Sequence, residues 1–160
     1  GGVEFYSGRD LLEKNSELKR RMTLVLPRVG AFNASVFKNV AYGLKIRKMK
    51  HERIAEQVDK TLEAVGLAHK KDQNALTLSS GETQRLGIAR AMVIEPEILF
   101  LDEPTASIDE ENTGIVEGII LSLKREARTT IIITTHDRDQ AARIADQLLM
   151  MQGGRIVLQK

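Results

Sequence analysis

The sequence predicts an α/β protein, a mainly parallel sheet with helices on its faces, joined to a helical segment in the middle third of the chain. Three observations carry this. Strand and helix periods alternate through the second half, the pattern of parallel strands joined by crossover helices. The middle third keeps helical spacing. Asp102, Glu103 and His136 stand just past two strand ends, where open α/β sheets place their sites.

In chain order, residues 3–6 and 22–26 are the first strand candidates. Residues 34–46 put Val36, Val40 and Leu44 on one helical stripe, with Ala41 beside them. Residues 52–65 repeat the pattern with Ile54, Val58, Leu62 and Val65, and Gly66 supplies the stop. A third helix spans residues 80–94 and ends before Pro96, which disfavours helical backbone in the residue ahead of it. Residues 98–101 are a short apolar run, the mark of a strand buried on both faces. Residues 109–126 are helical, and residues 129–135 are a β-branched run that reads as a second buried strand. Residues 137–146 form the last helix. Residues 147–152 and 155–158 flank Gly153-Gly154 and read as a hairpin.

A length of 160 residues suggests one domain able to bury a core. Apolar residues at 42% and charged residues at 29% fit an ordinary globular chain. The 24 basic and 22 acidic residues leave a formal charge of +2, which gives no argument for a nucleic acid partner. The absence of cysteine excludes disulfides and thiolate metal sites, and fits a cytosolic setting. No stretch is apolar for long enough to cross a membrane, so any membrane role is expected to run through a partner.

Successive side chains leave a strand in different directions, so Asp102 can face a metal while Glu103 faces a water. Phosphoryl chemistry needs both jobs, Mg²⁺ against the phosphate charge and a group that orients or deprotonates the attacking water. Taken alone, the two acids also read as a cap on the next helix. Ser79, Ser80 and Gly81 open a helix, where free amides and the helix dipole favour an anion and a glycine admits it closely. Taken alone, they also read as an empty serine cap. His136 reads either as a solvated histidine or as a donor to a terminal phosphate.

The order and spacing of these segments resemble the nucleotide-binding domain of ABC transporters. Leu78-Ser79-Ser80-Gly81-Glu82 is similar to the signature Leu-Ser-Gly-Gly-Gln, with Ser80 at the first glycine and Glu82 at the glutamine. Gln84-Arg85 and Ile88-Ala89-Arg90-Ala91 continue it. Residues 98–103 resemble Walker B followed by the catalytic glutamate, residues 106–109 the D-loop, and His136 the switch histidine. Asn39-Val40-Ala41-Tyr42-Gly43-Leu44 looks like the importer form of the region that meets the membrane subunit, and the basic run that follows it (Lys45, Arg47, Lys48, Lys50, Arg53) reads as a solvated face.

The resemblance implies a RecA-like P-loop NTPase core over residues 1–32 and 94–160 and an α-helical subdomain over residues 33–93. It implies ATP and Mg²⁺ as cofactors, with Asp102 holding the metal and Glu103 as general base. Ser79, Ser80, Gly81 and Glu82 would contact ATP on the opposite subunit, and Asp109 would couple the two sites. The implied partners are a second ABC ATPase domain in a head-to-tail dimer and an integral membrane transporter subunit, which would hold the chain on the inner face of the cell membrane. The implied activity is ATP hydrolysis driving transport, in an importer. A non-transport ABC ATPase, or a non-catalytic module completing a partner's ATP site, are the alternatives.

Two departures stand out. No Gly-Lys dipeptide occurs in the 160 residues, so the P-loop (Gly, four residues, Gly-Lys-Ser/Thr) is missing from them. By the resemblance it would precede Gly1, so the chain is expected to be an ABC ATPase domain short of its first strands and P-loop, inactive alone and self-associating through the exposed edges. Pro27 occupies the position of the Q-loop glutamine and offers no side-chain amide.

Overall fold

The structure is a computed structural model that describes residues 5–7, 10–12, 19–126 and 128–158. Strands β1 (Phe5–Ser7) and β2 (Asp10–Leu12) pair antiparallel. The second is an element that the sequence reading does not contain, and residues 3 and 4 of the first expected strand lie outside the described residues. Strand β3 (Met22–Val25) begins the central sheet.

Helices α1 (Val36–Ile46) and α2 (His51–Ala64) follow. Ser35 caps α1, its hydroxyl accepting from the Lys38 amide at 3.3 Å. The α1 stripe of Val36, Val40, Ala41 and Leu44 is buried, as is the α2 stripe of Ile54, Val58 and Leu62. Gly66 ends the α2 turn at φ 68°, in the left-handed region that glycine enters without a Cβ penalty. Two short 3₁₀ turns, Ala68–Lys70 and Ala75–Thr77, lead to α3 (Ser80–Met92). Leu86, Ile88 and Ala89 of α3 complete a core with α1 and α2. A fully buried Leu or Ile side chain contributes roughly 1.5–3 kcal/mol, so these stripes hold the helical segment together.

Strand β4 (Ile98–Asp102) runs parallel to β3, with Leu24 opposite Phe100. Helix α4 (Glu110–Glu126) crosses to β5 (Thr130–Thr134), parallel to β4, with Phe100 opposite Ile132 and Asp102 opposite Thr134. Helix α5 (Arg138–Ile144) and the antiparallel hairpin β6 (Leu149–Gln152) and β7 (Arg155–Leu158) close the chain. The central sheet has the order β3-β4-β5.

The sequence reading had β4 and β5 buried on both faces, and this requires correction. Leu99 and Leu101 face the core with Val116 and Ile120 of α4. The other face carries Leu24, 56% exposed, and Ile132, 45% exposed. Among the described residues the outer face lacks cover, so the apolar run marks a strand but not two buried faces.

Candidate functional site

Asp102, Glu103 and His136 meet at the carboxyl ends of the adjacent strands β4 and β5. Asp102 is the last residue of β4, and the Thr134 hydroxyl donates to its Oδ1 at 2.5 Å. Glu103 leaves the sheet at φ 46°. This region is sparsely occupied by residues other than glycine, and holding a side chain there costs of order 1–3 kcal/mol. Two contacts with β5 fix it, its amide donating to the Thr134 carbonyl at 3.1 Å and to the Thr134 hydroxyl at 3.3 Å. The turn aims the carboxylate at His136, whose Nδ1 lies 2.9 Å from both Glu103 oxygens. The hydrogen bond to Glu103 and its negative charge raise the His136 pKa above the ordinary histidine value.

Ser79, Ser80, Gly81 and Glu82 lie at the other predicted centre, the start of α3. Ser79 and Glu82 form a capping box: the Glu82 amide donates to Ser79 Oγ at 3.3 Å, and the Ser79 amide donates to Glu82 Oε2 at 2.9 Å. The amides of Ser80 and Gly81 take no protein partner among the described residues, so two donors at a helix N-terminus stay available to an anion. Glu82, in place of the family's glutamine, puts a carboxylate beside them. Lys70 answers it with an ion pair at 2.5 Å that holds the Glu82 pKa below the ordinary glutamate range, the capping amide of Ser79 adding to the effect. The serine cap leaves these two amides unpaired, so a cap and an anion at this helix start are compatible readings rather than rival ones.

Asp109 caps α4, accepting from the Asn112 amide at 2.8 Å. The Asn112 side chain donates to both Asp109 oxygens, at 2.9 and 3.0 Å. These bonds, the backbone one first, keep the Asp109 pKa below the ordinary aspartate value. No hydrogen bond or ion pair among the described residues joins Ser79, Ser80, Gly81 or Glu82 to Asp102, Glu103 or His136. The predicted residues thus fall into two separate clusters, one at the strand ends and one at the α3 N-terminus.

Sequence reasoning missed Thr134, Lys70 and Asn112. Thr134 had a readable signal, a polar β-branched residue directly opposite the β4 acid in a parallel register. Asn112 stands three residues after a helix-capping Asp, where a short amide reaches back to the cap. Lys70 sits in a 3₁₀ turn and carries no pattern of its own.

Pro27 lies in a bend after β3. The segment around it is well held nonetheless. Arg90 donates to the Gly30 carbonyl at 2.7 Å and stacks over the Phe32 ring at 4.4 Å. Val29 fills the space beside Gly87 of α3, where a Cβ would come within 2.4 Å of it. Next to this segment a cavity of about 300 Å³ opens between β3, α1 and α3, lined in part by Leu24, Leu26, Arg28, Tyr42 and Arg90.

A nucleotide-bound Mg²⁺ suits the strand-end half-site. Mg²⁺ is usually held by one or two carboxylates, its remaining positions going to phosphate and water. Asp102 supplies one carboxylate, with its Oδ2 free of side-chain partners among the described residues. No group of three or more His, Cys, Asp or Glu among the described residues forms an all-protein metal cage. No described helix is long and apolar enough to cross a membrane.

The sequence model of the ABC transporter family matches residues 1–106. The chain is 42% identical over 156 residues to the tungstate uptake system ATP-binding protein TupC of Peptoclostridium acidaminophilum, covering 98% of this chain and 71% of that protein. It is 41% identical over 145 residues to the phosphate import ATP-binding protein PstB 1 of Yersinia pestis, covering 88% of this chain and 53% of that protein. Its fold matches CbiO1 from Clostridium perfringens, part of the ABC transporter complex CbiONQ, with a TM-score of 0.85 and 31% identity over 94% of this chain and 62% of that one. The chain thus spans between half and about seven-tenths of these relatives. The parallel sheet and its helices have the RecA-like architecture of an ABC ATPase domain. On these grounds the chain belongs to the ABC transporter family.

Proposed function

We propose that this chain forms part of the ATP-hydrolysing subunit of an ABC importer, working as one half of a head-to-tail pair on the inner face of a membrane. One observation carries the chemistry: Asp102, Glu103 and His136 converge at neighbouring parallel strand ends, with Glu103 aimed by β5. The relatives named for tungstate uptake and phosphate import support the inward direction.

Mg²⁺, when bound, neutralises the charge of the phosphates. Asp102 would hold it through its free oxygen. Glu103 would accept a proton from the attacking water at its carboxylate. His136 now spans both Glu103 oxygens, and its withdrawal would leave that carboxylate free to act as a base. The Ser80 and Gly81 amides would meet the terminal phosphate of ATP held by the opposite subunit, with the Ser79 hydroxyl beside them. The cavity beside β3, with Tyr42 and Leu26 half exposed at its rim, would receive a segment of the integral membrane subunit.

A second reading is favoured by the sequence itself. These 160 residues hold no Gly-Lys dipeptide, so they carry the signature half of a site more fully than the phosphate-cradling half. One experiment addresses both readings. The chain is mixed with a P-loop-bearing ABC subunit whose own signature serine is replaced, so that this subunit is silent alone. We expect ATP hydrolysis to appear in the mixture, to vanish with Ser79→Ala, and to survive Glu103→Gln in this chain, since the composite site uses the other subunit's glutamate. Silence in the mixture overturns action in trans. Loss with Glu103→Gln overturns the assignment of turnover to the composite site, since the strand-end site of this chain would face the replaced serine. Restoring that serine tests the strand-end site itself: the pair should then hydrolyse ATP faster, and Glu103→Gln should remove the gain.

A further inference from the structure

Gly81 is buried, and the space that its Cβ would fill is already taken. A Cβ built there would lie 2.2 Å from Asn112 Cγ, 2.3 Å from its Oδ1 and 2.6 Å from its Nδ2, far inside contact distance. The Asn112 amide group therefore lies directly against the Gly81 backbone. The same amide donates through Nδ2 to both oxygens of Asp109, while the Asn112 main-chain amide donates to Oδ1. Asn112 thus has two neighbours that belong to different motifs. One is the backbone of the loop whose amides take no protein partner among the described residues. The other is the carboxylate at the start of α4.

The contact is rigid on both sides. Asn112 stands in the first turn of α4, where its main chain is tied to the Asp109 cap. Gly81 stands in the first turn of α3, where the capping box of Ser79 and Glu82 fixes the backbone on either side of it. An asparagine side chain has only two rotatable bonds, and here one side of its amide meets Gly81 while its Nδ2 is held by Asp109. A displacement of Gly81 toward Asn112 must push the amide off Asp109. A rotation of Asp109 must draw the amide away from Gly81.

We propose that Asn112 is a positioning residue that couples the signature loop to Asp109 inside one subunit, so that the state of the anion-binding amides and the orientation of that carboxylate change together. The proposal rests on the assignment of the α3 N-terminus to ATP held across the dimer, and deepens it. A subunit that lends Gly81 to its neighbour's nucleotide would transmit that engagement to its own Asp109 by this contact.

The test reads the Asp109 carboxyl carbon by NMR across an acid titration of the chain, with no nucleotide present. Its result is therefore independent of whether the chain hydrolyses ATP. In the unsubstituted chain the midpoint lies below the ordinary aspartate value, and Asn112→Ala raises it by removing two of the bonds that favour the charged form. The decisive variant is Gly81→Ala, which does not touch Asp109 but displaces Asn112. We expect Gly81→Ala to raise the Asp109 midpoint in the same direction, and the double variant to rise no further than Asn112→Ala alone. A merely structural glycine would lower the melting temperature and leave the Asp109 titration where it was, and that result overturns the proposal. If Gly81→Ala does not fold, the coupling is read in reverse: Asn112→Ala must shift the amide resonances of Ser80 and Gly81, and unchanged resonances there overturn it equally.

Discussion

Glu103 shows how much of the proposed chemistry rests on one residue's backbone. Its φ of 46° is held by the amide bonds to Thr134, and the same turn brings its carboxylate within 2.9 Å of His136. The raised pKa of His136 fixes the sign of a pH effect. Folding favours the protonated imidazole, so this pair contributes stability below the ordinary histidine pKa and loses it as pH rises through the higher folded value. Solvent screens the pair, since the His136 side chain is 80% exposed, so the effect on stability is small. The titration is the clean readout: the His136 ring should titrate above the ordinary histidine value, and Glu103→Gln should bring its midpoint back down. Equal midpoints in the two proteins would mean that the pair does not form in solution. Asp102, Glu103 and His136 were legible in the sequence because strand alternation and strand ends can be read from residue type. Thr134 and Asn112 leave a signal in their spacing, but what each does depends on which atoms it reaches. Gly81 was read as room for a phosphate, and the structure adds that Asn112 already fills one side of it.

Among the elements, α3 owes its seat to a buried cation. Arg85 is 8% exposed and donates through Nη1 to the carbonyls of Val65 and Gly66, at 3.0 and 3.3 Å. Those carbonyls follow the last turn of α2, where the chain carries partial negative charge and its oxygens lack helical partners. One side chain therefore joins the middle of α3 to the end of α2. Hydrogen bonds to a charged group contribute about 1.5–3 kcal/mol, and Arg85→Ala also leaves acceptors and a void behind. We expect Arg85→Ala to lower the urea unfolding free energy by about 2–4 kcal/mol. Arg85→Met, which keeps the apolar stem, should recover part of the packing but not the carbonyl bonds. A loss under about 0.5 kcal/mol, the size of an ordinary surface change, would show that water serves these carbonyls as well as the guanidinium does. The helix boundaries themselves were readable, since Ser35, Ser79 and Gly66 act within one turn of where they stand. The Arg85 contact spans 20 residues and leaves no local trace.

For the molecule as a whole, the decisive fact is how the sheet ends. Its order β3-β4-β5 leaves β5 at an edge, with the backbone groups on the side away from β4 unpaired among the described residues. Leu24, Phe100 and Ile132 align across the three strands on the outer face. The hairpin adds a cross-strand pair, Met151 and Ile156, at 72% and 62% exposure. The β-branched run that announces β5 is the same whether its faces are covered or not, because cover comes from residues elsewhere in a chain. That is why the run by itself predicts the strand but not its exposure, which is expected only from the missing first strands. An open strand edge beside an apolar face is a template for pairing, and burying such surface is favourable at about 25 cal/mol per Å². We expect the 160-residue chain to self-associate at micromolar concentration, with a mass by light scattering that rises with concentration. Leu24→Thr with Ile132→Thr puts a β-branched, strand-compatible residue at both positions while removing apolar outer surface. This pair should lower the mass and leave the far-ultraviolet circular dichroism unchanged. If the mass stays at one chain across that range, the outer face is covered in solution. If the double variant associates as strongly as the original, the β5 edge or the hairpin drives association, and Met151→Thr with Ile156→Thr separates those two sources.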